Sequence, residues 1–147
     1  MRTLTLLFIS AAAAMAADIS GIIKLDGPQP KRPPLPLTPE SRKLYEGKPY
    51  PRDEVELVSA KGEIKNVFVY IQKGLPAGKS YPAPKKPALL DQQRSMFRPR
   101  IQGLFVGQDF AMRNSDPIIH NVRSLSQENR PFNIAQPAGT PDRLKRF

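Results

Sequence analysis

The sequence predicts an all-β protein: a Greek-key β-sandwich with one short helix and Pro-rich loops. Apolar residues alternate with polar ones or form short β-branched runs, and only one brief segment favours a helix. Gly, Pro and Asn separate these runs at short intervals, as is typical of sandwich folds. The chain has 17 prolines in 147 residues, many of them in residues 27–39 and 81–87, which we predict to be loops.

The expected strands follow in chain order. Ile19, Gly21, Ile23 and Leu25 share one face of a first strand, and Val55 and Leu57 alternate with glutamates in a second. A turn is expected at residues 60–63. The continuous β-branched and aromatic run at residues 67–71 predicts a central strand covered on both faces. Further strands are predicted at residues 88–92, 96–101, 110–113, 120–125 and 132–135.

The one helix is predicted to begin near residue 39. Thr38 is a suitable N-cap, Pro39 fits the first helical position and Glu40 lies in the first turn, before residues 41–45. Prolines 30, 33, 36 and 39 recur with the three-residue period of a polyproline II helix. Two interpretations stay open for them: a ligand for an aromatic groove, or a stiff loop lying along the domain.

The N-terminus has the pattern of a secretory signal peptide. Arg2 is followed by an apolar run and by Ala14-Met15-Ala16, a small-x-small cleavage pattern. We therefore expect residues 1–16 to be a signal peptide, residues 17–147 to form one domain, and the protein to be periplasmic or secreted. The chain has no Cys and so no disulfide, and no other segment is long enough to span a membrane.

The net charge of +10 favours anionic partners. An acidic redox protein or an anionic component of the cell envelope is expected. Nucleic acid is not expected, because the Lys and Arg residues are scattered and lack the interleaved aromatic residues that stack on bases. The sequence also has no nucleophile–His–acid pattern and no phosphate-binding glycine loop, so we do not expect an enzyme.

Residues 106–125 are the most informative segment, VGQDFAMRNSDPIIHNVRSL. A turn leads into a strand with Phe110 and Met112 facing inward, and a tight turn at residues 114–117 leads into a strand that begins at His120. A two-residue period places His120, the only histidine, on the same face as Val122.

This segment resembles the part of plastocyanin-like cupredoxins that carries the first copper-binding histidine. The matching residues are Val106, Gly107, Asn114, His120, Asn121 and Val122. A closer resemblance, over residues 64–139, is to the methylamine-utilisation-type, plastocyanin-like periplasmic proteins. It includes residues 66–71, Leu90-Asp91-Gln92, Phe97, Pro99, the N-S-D-P-x-x-H-N block, Phe132-Asn133 and Gln136-Pro137. The resemblance implies a copper-binding or electron-transfer lineage with His120 as copper ligand. It implies Asn121 and Asn114 as residues supporting the ligand through hydrogen bonds.

The chain departs from the family pattern at the ligands. Ser95 occupies the family's Cys position, and Arg100 occupies a position where relatives often have His. A blue-copper site uses two His, one Cys and an axial Met, but no Cys, His or Met follows His120. We therefore expect an incomplete copper site, a domain without its last strand, and no type 1 copper bound by this chain. The alternative is a metal-free periplasmic binding or structural module.

Overall fold

The computed structural model describes residues 19–54 and 57–147, and the expected signal peptide lies outside them. The described part is rich in β-structure, with one short helix. The elements are α1 Pro39–Lys43, β1 Leu57–Val58, β2 Ile64–Lys65, β3 Ala88–Gln93, β4 Met96–Arg98, β5 Asp109–Asn114, β6 His120–Ser124, β7 Phe132–Gln136 and β8 Arg143–Arg146.

The helix begins where the sequence predicts it. The Thr38 hydroxyl accepts a hydrogen bond from the Ser41 backbone N–H, and Pro39 occupies the first helical turn. The α-helix proper ends at Lys43, and residues 44–47 continue as turns. The predicted cap and start are therefore confirmed, whereas the predicted end was slightly too far along the chain.

A four-stranded sheet is the largest element of the fold, in the order β4-β3-β5-β8. Strands β3 and β5 are parallel, with Leu90 opposite Met112, while β4 and β8 pair antiparallel on the outside. That the domain lacks its last strand stays a prediction. The final residues form the edge strand β8, paired with β5.

The core lies between this sheet and the β6–β7 hairpin. Phe110 and Met112 from β5 and Val122 from β6 are buried together, as the two-residue period predicted. Partly buried hydrophobic side chains surround them, from Ala88, Leu90, Phe132, Ile134 and Phe147. Burial of this apolar surface makes the main favourable contribution to the free energy of folding.

Buried amides join the hairpin to the sheet. Gln92 on β3 donates a hydrogen bond from Nε2 to Gln136 Oε1 on β7 over 2.8 Å, and Gln136 Nε2 donates to the Met112 carbonyl over 2.8 Å. Asn114 Nδ2 donates to the backbone carbonyls of Gln136 and Ile118. Because these groups are buried, their mutual hydrogen bonds avoid the cost of unpaired polar atoms.

Residues 57–65 form a short hairpin around the expected turn. Strands β1 and β2 pair antiparallel on either side of the predicted turn at residues 60–63. The Ser59 hydroxyl accepts hydrogen bonds from the Lys61 and Glu63 backbone N–H groups, and Gly62 adopts a φ of +79° that favours glycine. Of the predicted strand around residues 55–57, Val55 and Glu56 lie outside the described residues.

The proline-rich segment lies along the domain. The Leu35 backbone N–H donates to the Pro51 carbonyl, and the Asp53 N–H donates to the Pro33 carbonyl. The Arg32 guanidinium also donates to the Asp53 carbonyl over 2.7 Å. These contacts favour the stiff-loop interpretation over a free docking ligand.

Two predicted strands are wrong. Residues 67–71 form no strand, and their side chains are 47–70% exposed. Asn66, with a φ of +58°, turns the chain out of the extended conformation directly after β2, so the run does not continue that hairpin. Residues 19–25 likewise form no strand; Lys24 makes a single bridge to Glu63. Apolar, β-branched composition favours a strand only where a neighbouring strand pairs with it.

Candidate functional site around His120

His120 begins β6 and points toward the core side of the hairpin. Its side chain is 15% exposed, and its Nε2 lies 2.7 Å from Asp116 Oδ2. The tight turn at residues 114–117 brings this carboxylate back to the histidine four positions later. In this turn Asn114 Oδ1 accepts a hydrogen bond from the Asp116 backbone N–H.

Asp116 is buried and binds a second part of the chain. The backbone N–H groups of Arg94 and Ser95 donate to its two carboxylate oxygens over 2.6 and 2.7 Å. Arg94 and Ser95 form the turn between β3 and β4 and have φ values of +51° and +57°. One carboxylate therefore holds both this turn and the imidazole.

The Asp116 contact defines which imidazole nitrogen is available. A carboxylate oxygen is an acceptor, so Nε2 carries the proton in the tautomer that makes this hydrogen bond. In the neutral imidazole the lone pair then lies on Nδ1. Metal-binding histidines commonly have this arrangement, with the other ring N–H donated to a carboxylate.

His120 lies between two cavities. One, of about 200 Å³, is lined by Gln92, Ser95, Met96, Phe97, His120 and Asn121. The other, of about 510 Å³, separates α1 from the start of the β6–β7 hairpin and is lined by Thr38, Glu40, Ser41, Ile118, Ile119, His120, Asn121 and Ala135. The smaller cavity has the more varied chemistry, with a thioether, a hydroxyl and an imidazole in its wall.

Ser95 and Arg100, which the resemblance aligned with ligand positions, have different surroundings. Ser95 lines the His120 cavity, and its hydroxyl donates a hydrogen bond to Ser41 Oγ over 2.8 Å. Arg100 is exposed and lines a neighbouring cavity, whose wall also includes Ser95, Met96 and Phe97 but not His120. The fold thus brings Ser95 and His120 together but leaves Arg100 outside their cavity.

The two asparagines named from the resemblance have different environments. Asn114 is buried, and its side chain makes three hydrogen bonds that shape the turn before His120. Asn121 is exposed and lines both cavities, and its side chain makes no hydrogen bond with the described residues.

Sequence reasoning missed Asp116 and Met96. The Asp-Pro pair four residues before the only histidine was a usable signal for Asp116, because Asx turns commonly reverse the chain there. For Met96 there was no such signal, since its place in the same cavity wall as His120 depends on the β3–β4 turn.

Tyr45 supports that turn from the side of α1. Its hydroxyl donates a hydrogen bond to the Arg94 carbonyl, and burial raises the pKa of Tyr45.

The described residues do not fit a blue-copper centre. That centre needs a thiolate, whereas the chain has no Cys and the Ser95 hydroxyl is bound to Ser41. Residues 19–54 and 57–147 also bring together no group of three or more His, Cys, Asp or Glu side chains suited to a metal ion.

Comparison with known proteins returned no match: no family, no curated protein and no solved structure is recognisably similar to this chain. In the described part of the chain, no helix has the length and apolar character needed to cross a membrane.

Proposed function

We propose that this protein is an exported, cupredoxin-like domain of copper-binding or electron-transfer lineage whose copper site is incomplete. It acts in the periplasm or outside the cell, and it binds rather than catalyses. The observation that supports this proposal is the Asp116–His120 pair beside the 200 Å³ cavity, because it leaves Nδ1 as a lone-pair donor.

The proposed architecture is a Greek-key β-sandwich. Its support is the arrangement of two β-layers around one core, the four-stranded sheet on one side and the β6–β7 hairpin on the other. Sandwich domains are built from two such layers whose inner faces interdigitate.

The alternative function is a metal-free binding or structural module of the cell envelope. The edge strand β8 favours it, because all four residues of this strand are exposed and three of them are basic: Arg143, Lys145 and Arg146. Such an edge suits an anionic envelope component or an acidic redox protein. Salt-sensitive retention on an anionic matrix, unchanged by His120→Ala, is the behaviour that this alternative requires.

Titration with Cu(II) tests the copper proposal. We expect weak binding of Cu(II) to the protein, without an intense visible thiolate-to-copper band, and loss of this binding in His120→Ala. The electron paramagnetic resonance spectrum should show nitrogen coupling in the unsubstituted protein and none in His120→Ala, because Nδ1 is the anchoring donor.

Asn133→Ala is the matched control for this titration. Asn133 is an exposed residue of β7 that does not line the His120 cavities. Equal Cu(II) binding by the unsubstituted protein and by His120→Ala, with the far-ultraviolet circular dichroism unchanged, contradicts the copper proposal and leaves the metal-free module.

A further inference from the structure

We infer that the cavity beside His120 is a site for a soft monovalent metal ion, Cu(I) or Ag(I), with Met96 Sδ and His120 Nδ1 as its two ligands. This inference rests on the proposed role of His120. The residues do not fit the blue-copper centre that the resemblance implies. Two side chains of this cavity can instead supply the ligands for a soft monovalent ion.

Met96 reaches the cavity because of the β3–β4 turn. It is the first residue of β4, opposite Gln93 on β3, and it follows directly on Arg94 and Ser95. The N–H groups of these two turn residues bind Asp116, and the same carboxylate binds His120 Nε2. The segment carrying the thioether and the ring carrying the imidazole are thus held by one buried group.

Several polar groups of the cavity wall, and the Asp116 carboxylate that binds His120, are already engaged in hydrogen bonds. Gln92 Nε2 donates to Gln136 Oε1 and to the Arg113 carbonyl, and the Ser95 hydroxyl donates to Ser41. The Asp116 carboxylate accepts three hydrogen bonds. The Asn121 amide in the same wall has no hydrogen-bond partner among the described residues, but its oxygen is a hard donor. The donors that suit a soft ion are the thioether of Met96 and Nδ1 of His120.

This donor pair discriminates between metal ions. Thioethers are soft ligands and select Cu(I), whereas divalent and harder ions prefer imidazole with oxygen donors. A linear ion with two ligands needs no third protein donor. The half-exposed ring of Phe97 adds an apolar wall, which suits a low-charge ion better than a divalent one.

The two described methionines provide an internal control. Met96 is partly buried and lines the cavity, whereas Met112 is 0% exposed in the core and lies away from it. In protein carrying ¹³C at its methionine methyl groups, one equivalent of Ag(I) should shift the Met96 methyl resonance and leave that of Met112 in place. Each resonance is assigned by its Met→Leu variant.

Affinity measurements complete the test. Competition with a Cu(I) chelator under reducing conditions should show that Met96→Leu weakens Cu(I) binding by more than about tenfold. Tenfold is the lower end of the loss in metal affinity when a residue that only supports a ligand is mutated, and removal of a ligand should exceed it. Met112→Leu, a change that roughly conserves core volume, should leave Cu(I) binding unchanged. Cu(II) binding should be the same in the protein and in Met96→Leu, because it depends on His120.

The outcomes separate this inference from the proposed function. An unmoved Met96 methyl resonance, or unchanged Cu(I) affinity in Met96→Leu, overturns the soft-ion site even where His120→Ala still abolishes Cu(II) binding. If His120→Ala alters binding of neither Cu(I) nor Cu(II), both the site and the copper proposal fail.

Discussion

The carboxylate of Asp116 binds three groups from two parts of the chain. It accepts the N–H groups of Arg94 and Ser95, both in left-handed backbone conformations, and the imidazole of His120. Left-handed residues other than glycine carry a conformational cost. The two charge-assisted hydrogen bonds offset this cost and hold the β3–β4 turn closed.

We therefore expect Asp116→Asn to destabilise the protein by about 1.5–3 kcal/mol, the range for hydrogen bonds to charged groups. The amide keeps one acceptor, but its Nδ2 group faces a backbone N–H and the charge is lost. The free energy of unfolding in urea, with the m-value unchanged, measures this effect.

Asp142→Asn is the control for Asp116→Asn. Asp142 forms an exposed ion pair with Arg113, whose hydrogen bond lowers the pKa of the Asp142 carboxyl. Because exposed pairs contribute little, this variant should lose clearly less stability than Asp116→Asn. Similar losses in the two variants would show that the hydrogen bonds of Asp116 contribute no more than an exposed ion pair.

For His120, the sequence predicted the face of the strand but not the residues that surround the imidazole. The face of β6 that His120 shares with Val122 was predicted correctly from the two-residue period. Asp116 and Met96 come close to His120 only because the β3–β4 turn packs against the start of β6. Such a contact between distant parts of the chain produces no periodic pattern in the sequence, so it could not be predicted.

The elements β5 and β8 show how the end of the described chain contributes to the core. The ring of Phe147 lies 6.0 Å from that of Phe110 and 6.4 Å from that of Phe132, measured between centroids. The Phe147 carbonyl also accepts a hydrogen bond from the Gly107 N–H over 2.7 Å. The aromatic cluster therefore ties the segment after β8 to both layers.

Phe147→Ala should cost about 2 kcal/mol or more, because it removes a partly buried ring from this cluster. Leu144→Ala on β8 is the matched comparison, since Leu144 is 61% exposed and exposed substitutions change stability by about 0.5 kcal/mol or less. Thermal unfolding monitored by circular dichroism distinguishes the two variants. Equal melting temperatures for both would contradict an aromatic anchor.

At the element scale, prediction succeeded where local signals and a paired neighbour coincided. The cap of α1 and strands β3, β5, β6 and β7 were predicted within one or two residues. Residues 67–71 had the strongest β-propensity of the chain, but Asn66 turns the chain out of the extended conformation and no strand pairs with them. Pairing is a tertiary property that composition alone does not carry.

Over the whole molecule, residues 67–71 form an exposed apolar strip. The rings of Phe68 and Tyr70 stack 6.4 Å apart, and the Phe68 ring lies so close to Gly103 that a Cβ there would be 2.6 Å from it. No described backbone hydrogen bond involves residues 67–71. Exposed segments with high β-propensity and unpaired backbone groups are prone to association between chains.

Val69→Lys should therefore reduce self-association and change the free energy of unfolding by less than about 0.5 kcal/mol, because Val69 is 70% exposed. Sedimentation velocity over a series of protein concentrations measures the association. Val106→Lys adds the same charge at a residue that is 92% exposed and lies outside the strip. If both variants reduce association equally, net charge rather than the strip is the cause.

The amides of Gln92 and Gln136 impose a constraint that extends beyond one molecule. Gln92 Nε2 donates to Gln136 Oε1 across the two layers, so replacing Gln92 alone leaves this buried oxygen without its donor. Replacing both amides by apolar residues of similar shape costs less than leaving one buried partner unpaired. Over evolutionary time these two positions should therefore change together. A lineage that altered only one of them would pass through a destabilised ancestor.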